Sequence, residues 1–285
     1  MIDAILNYTF MQNALIAAIL ASIVTGIIGT IAIEKKLISM SGGIAHASFG
    51  GIGLGYLLGF EPIWGGFAFA IGASALISNI SKNQKIKADT LTGILWSFGM
   101  ALGILFISLT PGYMPDMTSY LFGDILSIST SAIIYMSIFT AVIFLLFVML
   151  YNYWIIYLFD EEYAKARKIN IGLIRFLVYL IIPIGIIVLI RIVGIILTIA
   201  LMTIPTSIAK LFFKSFGKVV FSSVFISMFF CMVGLAVSYY VNIPSGVCII
   251  IISTIVYLIL LFAKNTVYRK IHTRRMHMKQ GQAEG

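Results

Sequence analysis

The chain is a succession of apolar runs, each close to the length that crosses a bilayer and each parted from the next by a short polar break. A helix of ~20 residues, rising ~1.5 Å per residue, spans a hydrocarbon layer of ~30 Å. The runs fall at about 11–33, 37–59, 63–80, 90–110, 131–151, 172–190, 195–211, 219–240 and 246–264. Hydrocarbon leaves no backbone polar group a water partner, so such runs must be helices. The fold class is therefore an all-α polytopic membrane protein with eight or nine membrane helices. The count turns on 172–190 and 195–211, which Arg191 and Gly194 separate and of which one reads equally as a partial or re-entrant helix. Only 10% of residues are charged, where a soluble domain carries ~25%. The breaks are short enough to leave one transmembrane domain, 1–264, followed by a basic tail, 265–285, that carries His272 and His277 and is expected to be partly disordered.

A net charge of +9 invites a nucleic-acid reading, but the basic residues are scattered through the breaks, where they report membrane orientation instead. With the C-terminus cytoplasmic and every run spanning, all 19 lysines and arginines except Arg191 lie inside. The opposite orientation leaves Arg191 there alone. The outer breaks hold Asp3, Glu61, Asp116 and Asp124, a sparse acidic rim. These signs fit a multi-pass protein of the plasma (inner) membrane. The first run has an acidic lead-in and no clear cleavage site, unlike a secretory signal. Cys231 and Cys248 sit in apolar runs without metal-ligand spacing and read as buried small hydrophobes.

Run 37–59 contains Ser41-Gly42-Gly43-Ile44-Ala45-His46-Ala47-Ser48-Phe49-Gly50-Gly51-Ile52-Gly53-Leu54-Gly55, a stretch in which His46 is the one ionisable side chain. Nine residues past Leu37, the imidazole lies about 14 Å in, near mid-membrane. Gly43, Ala47, Gly51 and Gly55 recur every four residues and form a smooth stripe on which another helix packs closely. An ionisable group beside such a seam suggests a translocation path. His46 reads either as a hydrogen-bonded structural histidine or as a transient ligand or gate for a divalent cation, because neutral imidazole suits zinc and other borderline metals.

Other residues carry weaker signals. Asp89 reads as the N-terminal cap of the fourth span, and Asp160 as the cap of a charged helical stretch over 159–170. The turn-rich segment 111–130 contains Tyr120-Leu121-Phe122-Gly123-Asp124-Ile125-Leu126 and predicts a short outer helix over the pore mouth, with Tyr120 and Asp124 as outer-gate candidates; Asp124 reads equally as a solvated cap. Pro205 is expected to break a helix near the inner surface. After it, Leu211 to Val219 sets Lys210, Lys214 and Lys218 beside Phe212, Phe213 and Phe216. That pattern fits a lysine-anchored interfacial helix or a helix that docks in a partner's groove. The chain has no Gly-x-x-x-x-Gly-Lys-(Ser/Thr) loop, no His-Glu-x-x-His, no Gly-x-Ser-x-Gly and no buried carboxylate pair. Neither a nucleotide site of that kind nor a hydrolase centre is indicated, and no cofactor is expected.

Several of these segments together resemble the zinc/manganese-type permease subunits of bacterial ATP-binding-cassette (ABC) importers. Ser41 to Leu57 resembles the family's second membrane helix, and Ala88-Asp89-Thr90-Leu91-Thr92-Gly93-Ile94 its Asp-(Thr/Ala)-Leu-x-Gly-Ile helix start. Ser119 to Leu126 is similar to its Tyr-Leu-Phe-Gly-Asp-Leu-Leu signature, Leu201 to Leu211 to its Ile-Pro-Ala-Ala-x-Ala-Arg stretch, and Asn242 to Gly246 to its Pro-(Ala/Ser)-Gly turn. Five motifs occur in the right order. Many members carry Asp four residues before the histidine, one turn away; here that position is Gly42.

The resemblance implies a type II ABC importer-like permease fold, a homodimer in the lipid membrane, a separate ABC ATPase subunit and an extracytoplasmic metal-binding protein. It implies that Pro205, Lys210, Phe213 and Lys214 belong to the region that couples to the ATPase. The expected function is the permease subunit of an ATP-driven importer of divalent transition metals, zinc first and manganese or iron next, working by alternating access. The alternatives are a permease for chelated iron (a siderophore) or another small solute, and a stand-alone secondary metal carrier.

Overall fold

The computed structural model describes residues 7–82, 88–112, 121–123, 125–159 and 161–281. Asp116, Tyr120, Asp124 and Asp160 lie outside them, and with them both residues of the outer-gate reading. All regular elements among the described residues are helical: α1 (Thr9–Glu34), α2 (Ile38–Leu58), α3 (Pro62–Lys82), α4 (Ala88–Ser108), α5 (Thr130–Met149), α6 (Tyr151–Phe159), α7 (Glu161–Ala166), α8 (Ile171–Val193), α9 (Ile195–Phe212), α10 (Phe216–Val241) and α11 (Ser245–Gly281), with a 3-10 turn at Ile125–Ser127. The last helix continues through the basic tail, where the composition predicts partial disorder. Among the described residues, eight helices are long and apolar enough to cross a membrane: α1, α3, α4, α5, α8, α9, α10 and α11, the last as far as Lys264. Neither α8 nor α9 is partial, since they run 23 and 18 residues and are parted by Gly194 alone.

The ninth long helix, α2, is not among those eight. Its glycines, serines and His46 dilute its apolar content, yet it crosses from one end of the bundle to the other. One end gathers the ion pair of Lys210 with Glu34 at 2.9 Å, Lys35 with its ammonium 3.8 Å from the Tyr157 ring centre, and the Lys264 ammonium on the Leu211 carbonyl. The other end gathers Glu61 and Arg191, 3.3 Å apart, Asn13 donating to the Ile128 carbonyl at 3.3 Å, and Ser245 accepting from the Ile125 amide at 3.1 Å. Leaving Glu34 and arriving at Glu61, α2 covers the same thickness as α9. It needs little apolarity because it meets protein: Met40 to Gly53 are all buried.

Two groups of helices share the fold. In one, α2 is clasped by α3 and α4; in the other, α1 packs on α5, α9 and α10, with α11 behind α9 and α10. Helix α8 touches α1, α2 and α3 and joins the groups. Within the second group, hydroxyls return to their own helix: Ser22 donates to the Ala18 carbonyl at 2.7 Å and Thr30 to Gly26 at 2.7 Å, while Thr25 and Ser227 meet across α1 and α10 at 3.3 Å. These hydroxyls are thereby satisfied without water, whereas those of Thr140 on α5 and Thr206 on α9 have no partner.

The clasp around α2 is made by backbone. A Cβ on Gly51 would collide with the Gly65 carbonyl of α3, and one on Gly55 would stand 2.5 Å from Pro62 Cα. On the other side, a Cβ on Gly43 would lie 2.5 Å from Thr92 Cγ2 of α4, and one on Gly53 2.6 Å from the Gly103 carbonyl. Gly99 in turn seats against Ala47. The four-residue stripe is thus divided, Gly43 and Ala47 serving α4, Gly51 and Gly55 serving α3.

Pro205 does not break its helix. It sits buried inside α9, which continues to Phe212, as Pro183 sits inside α8. Each ring removes one intrahelical donor, a loss that membrane helices tolerate when neighbouring helices enclose them. Nor is Leu211 to Val219 a helix of its own. α9 ends at Phe212, Phe213 is extended (φ −122°, ψ 143°), and α10 begins at Phe216. The segment is a corner between two long helices.

Gly51→Val should destabilise the purified chain by about 1–3 kcal/mol, the scale of an overpacked contact. Gly72→Ala, on α3 with open space around it, should be neutral or stabilising by up to ~1 kcal/mol. Thermal unfolding in detergent reads both.

Candidate functional site

His46 is the ninth residue of α2, about 12 Å along a helix of 21 residues. It is 7% exposed, and its Nδ1 is buried without a hydrogen-bond partner. A structural histidine would have one there, so the hydrogen-bonded reading finds no support at this nitrogen. The imidazole lies flat against the Trp96 indole of α4, with ring centres 4.0 Å apart and planes 15° apart. Sequence reasoning passed over Trp96. The stack follows from glycine packing: Gly99 lets α4 approach the backbone of α2 at His46 and Ala47, and Trp96, one turn earlier, then lands on the imidazole.

Gly42, one turn before His46, faces Trp96 as well. A Cβ there would meet Trp96 Cζ3 at 3.6 Å and Ile199 Cδ1 of α9 at 4.0 Å, ordinary contact distances, so the position has room for a side chain. Thr92, one turn before Trp96 and packed on Gly43, has a buried hydroxyl that also lacks a partner. The site is therefore a seam shared by α2, α4 and α9, with one unpaired imidazole nitrogen at mid-helix and an indole over it. Trp96 itself is 44% exposed, the outer wall of the site. Groups of three or more His, Cys, Asp or Glu able to hold a metal ion are absent among the described residues. A cation meeting His46 here would find few ligands in one chain and would be held loosely.

The other described residues singled out in the sequence do not converge on His46. Asp89 is in the first turn of α4, where a carboxylate faces the helix's unpaired amides. Lys210 is tied to Glu34, and Phe216 is buried in a cluster with Phe147, Tyr151 and Phe159. Phe212, Phe213, Lys214 and Lys218 stay exposed at the α9–α10 corner. At the opposite end, the segment after Leu121 is locked by glycines. Gly123 (φ +70°) and Gly194 (φ +80°) face each other so closely that a Cβ on either would strike the other's backbone or that of Val193, and Gly246 is pressed on the Phe122 carbonyl. Positive φ and the absence of a side chain are both needed at Gly123 and Gly194.

The model of the ABC 3 transport family matches residues 7–264. A membrane protein of Synechocystis sp. is 37% identical over 254 residues, 89% of this chain and 90% of that one. The manganese transport system membrane protein MntC of Listeria monocytogenes is 29% identical over 259 residues, covering 90% of this chain and 92% of that one. Among solved structures, PsaBC from Streptococcus pneumoniae in complex with Fab contains a chain that superposes with a TM-score of 0.82 at 30% identity, over 91% of this chain and 93% of that one.

Trp96→Ala should open His46 to carbethoxylation by diethylpyrocarbonate. Peptide mapping should find His46 slow to react in the wild type, several-fold faster in Trp96→Ala, and intermediate in Trp96→Phe, with the tail histidines unchanged.

Proposed function

The chain belongs to the ABC 3 transport family, and on that premise we propose that it is the membrane permease subunit of an ATP-driven importer for divalent transition-metal ions, zinc first and manganese or iron next. Two copies form the permease. A separate pair of ABC ATPase subunits supplies the energy, and an extracytoplasmic metal-binding protein delivers the ion. The basic end of the bundle faces the cytoplasm, as the positive-inside rule requires, and brings the C-terminal tail with it.

The observation that carries the reading is the unpaired Nδ1 of His46, buried at mid-helix behind Trp96. An unsatisfied polar atom inside a membrane bundle costs free energy, and a functional role is the usual reason to retain it. In this reading the described conformation is closed at His46. Alternating access moves Trp96 off the imidazole, the ion passes with His46 as a weak ligand, and His46 of the second copy adds another. Weak binding suits passage, because capture is left to the delivery protein. The exposed corner of Phe212, Phe213, Lys214 and Lys218 offers the ATPase both apolar surface and positive charge. Pro205 and Lys210 act behind it, inside α9 and in the pair with Glu34.

ATP-dependent uptake of radioactive zinc, manganese and iron, measured in vesicles containing the permease, its ATPase and the loaded binding protein, tests this. His46→Ala should lower uptake by about 10-fold or more, the scale of a lost metal-site contact, while the ATPase still co-purifies. Uptake by this chain alone, without nucleotide, would overturn the proposal in favour of a stand-alone carrier.

A further inference from the structure

Helix α1 ends in a carboxylate. Glu34 is its last residue, where the helix leaves carbonyls unpaired, and a negative charge there opposes the helix dipole. For α1 alone the residue is a poor choice. Its side chain is nevertheless only 13% exposed and lies 2.9 Å from the Lys210 ammonium, in the last turn of α9. α1 and α9 run parallel, since Gly29 of α1 is pressed on the Met202 carbonyl of α9 and Glu34 meets Lys210 farther along. The contact at Met202 lies before Pro205, the ion pair after it. Beyond the proline, the end of α9 is thus tied to α1 by charge, just ahead of the exposed Phe212.

Glu34 is also close in sequence to α2, which begins at Ile38. The turn between them is tight. The Lys36 amide donates to the Ile33 carbonyl at 3.1 Å, the Leu37 amide donates to the Ala32 carbonyl at 2.7 Å, and Lys36 takes a φ of +57°. Lys35 sits over the Tyr157 ring. The turn is closed on α1 and opens directly into α2, where the Ser41 amide and hydroxyl both donate to the Leu37 carbonyl. From Ile38 to His46 is about 12 Å of helix.

We propose that Glu34 is a positioning residue for coupling. Through Lys210 it links the α9–α10 corner to the first turn of α2. A displacement of the corner by the ATPase then reaches the helix that carries His46 without crossing the gap that Pro205 leaves in the α9 hydrogen-bond ladder. The role rests on the function proposed above. A partly exposed ion pair contributes little to stability, so a mechanical link is the better account of a charge that α1 itself disfavours.

The complete assembly in vesicles, permease with its ATPase and loaded binding protein, tests this through the ATP hydrolysed per ion imported. The probe is whichever of radioactive zinc, manganese and iron the wild type takes up. Glu34→Gln and Lys210→Gln should each raise that ratio by about five-fold, the lower end of ordinary coupling between sites. Lys210→Arg, which keeps the charge, should stay within about two-fold of wild type. Lys264→Gln removes the contact that ties the same turn to α11 through the Leu211 carbonyl, and should leave the ratio unchanged. A merely structural pair would lower the unfolding temperature and the yield of complex without altering the ATP spent per ion in the complex recovered. An unchanged ratio in the Gln variants at 34 and 210, or an equal rise in Lys210→Arg or Lys264→Gln, overturns the inference while the proposed function stands. No ATP-dependent import of any of the three ions by the wild type overturns both.

Discussion

Backbone lies against backbone at the middle of this protein, and the rest of the bundle is arranged to permit it. Helices in a bilayer gain little from hiding apolar surface, because lipid tails are as apolar as leucine; they associate by dispersion contacts, which grow as axes come together. Gly51 against Gly65, and Gly99 against Ala47, bring α3 and α4 in to the limit that a main chain allows. Helix α2 is then enclosed by protein over most of its length. That enclosure explains its composition. A helix so enclosed can carry glycine, serine and an imidazole that would be costly on the outside, and its buried centre is where the candidate site lies.

The second group of helices solves the same problem differently. α1 and α10 are lined with small hydroxyl residues whose donors fold back onto carbonyls four residues earlier, and Thr25 and Ser227 meet between the helices. The pairs Glu34 with Lys210 and Glu61 with Arg191 lie at the two ends, partly exposed where water screens them. Most buried hydroxyls satisfy themselves locally, but the described residues leave five buried polar atoms without a partner: His46 Nδ1, the hydroxyls of Thr92, Thr140 and Thr206, and the Trp154 indole nitrogen. His46 and Thr92 lie within one stretch of the α2–α4 seam.

The membrane spans were legible because hydropathy is additive and local: the run at 219–240 is α10 within a few residues, and 11–33 is α1. His46 was legible for a related reason, as one ionisable side chain in a run that excludes them. Trp96 was not. Its meaning depends on which face of α4 turns to α2 and at what register, and a sequence period gives the faces of a helix without naming their partners. The contacts among Gly123, Gly194 and Gly246 were hidden in the same way, each glycine reading singly as a turn. Pro205 misled because local propensity was weighed without its surroundings. A ring that would end a helix in water is accommodated between packed neighbours.

That proline has a mechanical consequence. Ile199, beside Gly42, and Phe212, at the exposed corner, lie on one helix about 20 Å apart. A straight α-helix is stiff, and bends are concentrated where its ladder lacks a rung. Between these two residues the rung is absent at Pro205. Were the corner displaced, as the proposed coupling requires, the movement would reach Gly42 through a rod with one soft joint, and the angle of that joint would set how far Ile199 shifts along the α2 seam.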